Sequence, residues 1–181
     1  NELLDLARME AGHMNLNYES VELRSYMKRV TNKCAGISRE KKVRLEVETT
    51  SDQTFWILDA DRIEQVLTNL IDNAIRHTPE GGSVKVSQTI EDRLLRVEVT
   101  DTGSGIPEED IPFVFERFYK ADKARTRERS GKGTGLGLAI AKNIVKSHNG
   151  DIQVKSLENR GTTFFFTIPK KEKFHEKGAG N

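Results

Sequence analysis

Residues 131–148, Gly131-Lys132-Gly133-Thr134-Gly135-Leu136-Gly137-Leu138 followed by AIAKNIVKSH, set four alternating glycines directly against an apolar-striped helix. Leu138, Ala141, Ile144 and Val145 form the stripe, and Asn149-Gly150 stops it. Free amide groups at a helix start, with the helix dipole behind them, bind anions, and phosphate fits best. Just upstream, residues 117–132 carry Arg117, Lys120, Lys123, Arg125, Arg127, Arg129 and Lys132 against only Asp122 and Glu128. That is a local excess of +5 in a chain of net charge +1. A polar loop of this length in a compact domain is a lid or a disordered stretch. Leading into the glycines, residues 117–134 read as a lid over phosphates. It is expected to be poorly ordered without nucleotide, because no large apolar anchor stands between Tyr119 and Leu136.

Outward from that segment the pattern is helix, two strands, helix, hairpin, long loop, helix, hairpin. Leu23, Met27, Val30, Cys34 and Ile37 are spaced 4, 3, 4, 3 and predict one helical face. Val43, Leu45 and Val47 alternate with charged residues, and Phe55-Trp56-Ile57-Leu58 follows a polar turn; both read as strands. A long helix is expected over 61–77, a hairpin over 84–90 and 94–100, and strands at 151–156 and 162–168. The order predicts an α+β two-layer sandwich: a mixed sheet with three helices on one face. Residues 1–16 read as the end of a helix, 17–169 as the domain and 170–181 as a loose tail.

Two further stretches bear chemistry. In the 61–77 helix, DRIEQVLTNLIDNAIRH, Asn69 and Asn73 are one turn apart, at the rim of the apolar face. Their amide oxygens could serve a hard cation such as Mg²⁺; the plainer alternative is two solvated asparagines. Asp101-Thr102-Gly103-Ser104-Gly105-Ile106-Pro107 follows an apolar strand. Gly103 and Gly105 let the backbone turn and approach a ligand. Asp101 can accept from an amino group, for instance an adenine's, and Ile106 can cover the ring; an ordinary glycine turn is the alternative.

Composition narrows the class. The chain has 181 residues, 35% hydrophobic and 31% charged, enough for one good-sized domain. A net charge of +1 offers no field that would draw nucleic acid or an acidic membrane. One cysteine, Cys34, excludes a disulfide framework and a Cys-rich zinc site; on its apolar stripe it reads as a small buried hydrophobe. No run approaches the ~18 apolar residues of a membrane span. The chain opens on Asn1 and is expected to be a piece of a longer protein. G-x-x-x-x-G-K-[ST] is absent, and G-x-G-x-x-G would need glycine at Leu136 or Glu108. His13, His77, His148 and His175 show no metal-ligand spacing.

Asn69 with Asn73, Asp101 with Gly103 and Gly105, Phe115 with Phe118, Gly131-Gly133-Gly135-Gly137 and Gly161-Thr162 occur in an order that resembles the catalytic and ATP-binding domain of bacterial sensor histidine kinases. The likeness covers residues 20–168, and LLDLARMEAG resembles the end of the second dimerisation helix. It implies a Bergerat-type ATP fold, with Asp101 on the adenine amino group and Asn73, assisted by Asn69, on Mg²⁺. Arg76, Arg117 and Lys120 would approach the phosphates. Gly135, Leu136 and Gly137 would donate backbone amides, and Thr162 would support the adenine end. His77, Gly103, Gly105, Ile106, Tyr119, Lys132, Gly133 and Thr134 complete the implied ATP-binding set. The γ-phosphoryl would pass to a histidine on a dimerisation domain, then to a response-regulator aspartate. The whole protein would be a homodimer, an integral plasma-membrane sensor with this part on the cytoplasmic side, and this fragment a monomer.

No histidine here carries the family's acceptor pattern of His, an acid and Thr-Pro: Met-Asn follows His13, Thr-Pro without an acid follows His77, and Asn-Gly follows His148. The fragment is therefore expected to bind ATP but not to phosphorylate itself. Relatives that hydrolyse ATP usually carry Glu where this chain has Asn69, and an amide cannot abstract a proton. Asp101-Thr102-Gly103 is also the aspartic-protease tripeptide, but that fold is nearly all strand and this chain has at least three long helical patterns. A non-catalytic nucleotide sensor is the remaining alternative.

Overall fold

In a computed structural model that describes residues 1–119 and 135–172, the chain forms the expected two layers. Helix α1 (Glu2–Glu10) is followed by β1 (Tyr18–Glu22), α2 (Leu23–Lys33), α3 (Ala35–Lys41), β2 (Arg44–Glu48) and β3 (Phe55–Asp59). Helix α4 (Ala60–His77), the hairpin β4 (Ser83–Glu91) and β5 (Leu94–Asp101), α5 (Gly137–Ser147), β6 (Asp151–Leu157) and β7 (Gly161–Pro169) complete it. The main sheet has the order β2-β4-β5-β7-β6. Only β2 and β4 run parallel; the other pairs are antiparallel.

Strand alternation decides which side the helices cover. Val84, Val86, Leu95, Val97, Val99, Phe164, Phe166 and Ile168 are buried on the helical side. There they meet Ile63, Val66, Leu67, Leu70, Ile71 and Ala74 of α4 and Ile140, Ile144 and Val145 of α5. The other face is polar. Phe165 points that way and still stays 7% exposed, because the Arg96 guanidinium lies 4.1 Å and the Lys155 ammonium 5.3 Å from its ring centre. Helix α1 docks on the domain through buried Leu6 and Met9.

Three details differ from the sequence expectation. The stripe from Leu23 to Ile37 is two helices, because Cys34 breaks the run and caps α2. Ile37 is consequently exposed, while Cys34 is buried as expected. Residues 55–58 do form a strand, but β3 pairs with β1 in a separate two-stranded sheet. β1 itself, YESVE, has too little apolar alternation to announce a strand.

Candidate functional site

The end of β5, the second half of α4 and the start of α5 converge. Asp101 is 4% exposed, and its Oδ1 accepts the Gly103 N–H at 2.8 Å. Burial pushes its carboxyl pKa up, partly offset by backbone donors at Gly103 and Thr162. A side chain on Gly103 would strike the His77 carbonyl, so this turn packs directly on the C-terminus of α4. Gly105 and Gly161 both have positive φ, 73° and 97°. A Cβ at Gly105 would meet the Leu157 carbonyl, and one at Gly161 the Asp101 carbonyl. Asn159 N–H also donates to the Ser104 carbonyl, at 2.6 Å. The glycine turn and the β6–β7 turn are thus held face to face by backbone.

Helix α4 begins on Asp59, whose carboxylate accepts the Arg62 N–H at 3.0 Å. Its last turn is capped from α3: Lys41 Nζ donates to the Ile75 carbonyl at 2.8 Å and also to that of Arg76. Asn69 and Asn73 are half-buried on the side that meets α5. Asn69 Nδ2 donates to the Gly137 carbonyl at 3.0 Å, which turns its Oδ1 away from that carbonyl. Gly137 lies close enough that a Cβ there would touch the Asn69 amide at 3.6 Å. Gly137 at the start of α5 and Asn69 of α4 are therefore in direct contact.

Arg76 pairs with Asp72 at 2.8 Å, and its Nε is buried with no hydrogen-bond partner among the described residues. His77 is exposed at its rim, yet the protein behind it, then Arg76 and Lys41, lower its pKa. Thr162 lies opposite Asp101 in the β5–β7 ladder. Ile106 is half-buried, its N–H donating to Ser156 Oγ at 2.7 Å. Phe115 packs edge-on against Phe164, with ring centres 5.9 Å apart. Phe118 is 59% exposed and donates its N–H to the Gly135 carbonyl at 2.8 Å. The Tyr119 phenol is pushed up to about 12, first by burial and then by Asp110.

One residue expected at the phosphates is engaged with α1. Arg117 Nε donates to Glu10 Oε1 at 3.0 Å and its Nη2 pairs with the other carboxylate oxygen, tying this side chain to α1. A cavity of about 460 Å³ lies beside that pair, lined by Phe115, Lys142 and Lys146 among others, and includes no residue of the Asp101 turn. Lys120, Gly131, Lys132, Gly133, Thr134 and most of the 117–134 lid lie outside the described residues. Sequence reasoning missed Ser156 and Lys41. Ser156 carried a signal: it is a polar residue at a core-facing position of β6, in line with Ile152 and Val154.

A buried carboxylate in a glycine turn and a glycine-flanked helix start beside an asparagine amide fit a nucleotide site. Residues 58–172 match the histidine kinase-, DNA gyrase B-, and HSP90-like ATPases, and the chain belongs to that family. Within it, similar proteins include sensor histidine kinases. The chain is 41% identical over 175 residues to the sensor histidine kinase WalK of Bacillus subtilis, which covers 95% of this chain and 28% of that protein. The catalytic domain of histidine kinase ThkA superposes with a TM-score of 0.74 at 31% identity, over 86% of this chain and 97% of that one. Full-length ShkA in complex with AMPPNP gives 0.83 at 26% identity, over 94% of this chain and 35% of that one. The chain thus spans less than a third of the length of the curated relatives it matches.

Proposed function

We propose that this chain is the ATP-binding catalytic part of a sensor histidine kinase, which passes the ATP γ-phosphoryl to a histidine on a dimerisation domain for relay to a response-regulator aspartate. The observation that supports the reading is the buried, acceptor-bearing turn at Asp101 packed on the C-terminus of α4, the helix whose Asn69 also holds the start of α5. Asp101 accepts the purine amino group, Ile106 covers the ring, and Thr162 lines the same end. Backbone amides of Gly135, Leu136 and Gly137 face the phosphates with the α5 dipole behind them. Arg76 offers an unspent Nε. His77, with its lowered pKa, sits there neutral. Lys120, Lys132 and Thr134 complete the phosphate end, and Arg117 joins it on leaving Glu10.

The residues fit Mg²⁺: the Asn69 amide is already oriented by Gly137, leaving Oδ1 outward, and Asn73 stands one turn further on. When bound, the ion would neutralise phosphate charge. Catalysis is then positioning and electrostatics. Asn69 cannot serve as a base for water, which favours transfer over hydrolysis.

Residues 1–16 are the end of a dimerisation helix, here laid on α5 through Leu6 and Met9, and 17–169 the catalytic domain. The whole protein is a homodimer that senses at the plasma membrane, with this domain on the cytoplasmic side. No helix among the described residues is long and apolar enough to cross a membrane. Calorimetry with a non-hydrolysable ATP analogue and Mg²⁺ should show one site. Adding the dimerisation domain in trans with ATP should yield acid-labile phosphate on it. Absent binding, or hydrolysis at several turnovers per minute by the chain alone, contradicts the reading.

A further inference from the structure

We infer that Ser156 is a positioning residue for purine choice: it fixes the Thr162 hydroxyl as an acceptor beside Asp101, so that the site takes a six-amino purine and rejects a six-oxo one. The inference rests on the nucleotide reading above. Asp101, Thr162 and Ser156 stand side by side on β5, β7 and β6, in direct register across the two ladders. Opposed residues of paired strands point to the same face, so the three side chains form one row on the helical side.

A serine hydroxyl has one proton and two lone pairs. Ile106 N–H can only donate to Ser156 Oγ, at 2.7 Å. The Gly161 carbonyl, at 3.0 Å, can only accept from it. The third partner, Thr162 Oγ1, is 2.8 Å away. All three contacts are satisfied together in one way: Ser156 donates to Gly161 and Thr162 donates to Ser156. The Thr162 proton is then spent, and only lone pairs remain for a ligand. Asp101 Oδ1 likewise accepts, already from the Gly103 N–H, and the carboxylate form adds only further lone pairs. A rim of acceptors suits an exocyclic amino group. It leaves a ring carbonyl at the same place facing oxygen lone pairs, unpaired and buried.

The test compares dissociation constants of AMPPNP and its inosine counterpart by calorimetry, beside thermal midpoints. The wild type should bind the inosine nucleotide about tenfold more weakly or worse. In Ser156→Ala the freed Thr162 hydroxyl can rotate and donate, so the gap should narrow to about threefold or less, mostly by tighter inosine binding. Ser156→Thr, which keeps the hydroxyl, should restore it. Should Ser156→Ala fail to fold, Thr162→Val decides: loss of the acceptor should narrow the gap by weakening AMPPNP. Equal weakening of both nucleotides, or no change in their ratio, overturns the assignment of Ser156 and leaves the nucleotide reading standing. A wild type that binds neither overturns both.

Discussion

At the proposed purine end, Asp101 is buried, and its turn is fixed by bare glycines pressed on carbonyls and by a hydroxyl bonded to three neighbours. At the proposed phosphate end, Arg76 is 32% exposed and paired with Asp72, while Arg117, proposed to join it, is 42% exposed and tied to Glu10. The difference lies in what sets each geometry. Backbone contacts and buried groups hold the turn at Asp101. Long exposed side chains in surface ion pairs are worth under about 1 kcal/mol each and exchange partners readily. On the proposed reading, recognition is built in before ligand arrives, while charge is gathered on arrival.

The sharpest way to break this contrast is Asp101→Asn, which should weaken adenine-nucleotide binding roughly a hundredfold or more without a matching loss of stability. Burial raises the Asp101 pKa, so the carboxyl favours the folded state at low pH and opposes it as pH rises through the folded value. The asparagine amide oxygen still accepts from Gly103. Thermal midpoints at neutral pH should therefore be equal or higher in the variant, the difference fading on acidification. Calorimetry showing unchanged affinity would remove Asp101 from recognition. Next in size, Asn73→Ala should weaken ATP about tenfold with Mg²⁺ present and much less in EDTA; equal losses would argue against metal ligation.

A smaller effect lies at the far ends of the helices. Buried His148 accepts the Asp59 N–H on Nε2 at 3.1 Å and holds Nδ1 2.8 Å from the Ile144 carbonyl, which requires the neutral ring. Burial lowers its pKa, so stability is held above about pH 6.5 and lost as pH falls towards the folded value. His148→Gln, which cannot titrate, should flatten that part of the profile of thermal midpoint against pH. A slope left unchanged would exclude this bolt as its source.

Much of this was legible because glycine and asparagine stand where no packing rule wants them. Two asparagines in the apolar-faced α4, and glycines alternating into α5, mark the place where the proposed site sets backbone against ligand. The elements that escaped are those whose cause is distant. β1 is a strand because β3 lies beside it, and Cys34 ends a helix within an unbroken apolar period. The Glu10–Arg117 pair spans most of the chain and leaves no mark in spacing. Ser156 was visible only as a polar residue at an inward position, a sign that acquires meaning once Thr162 and Ile106 are seen beside it.

The most direct measurement is a crystal structure of this chain with Mg²⁺ and a non-hydrolysable ATP analogue. The account predicts the purine amino group on Asp101, the phosphates at the Gly135–Gly137 amides, and the cation between them and Asn73. A nucleotide bound with its purine away from Asp101, or a cleft left empty at saturating ligand, would contradict it.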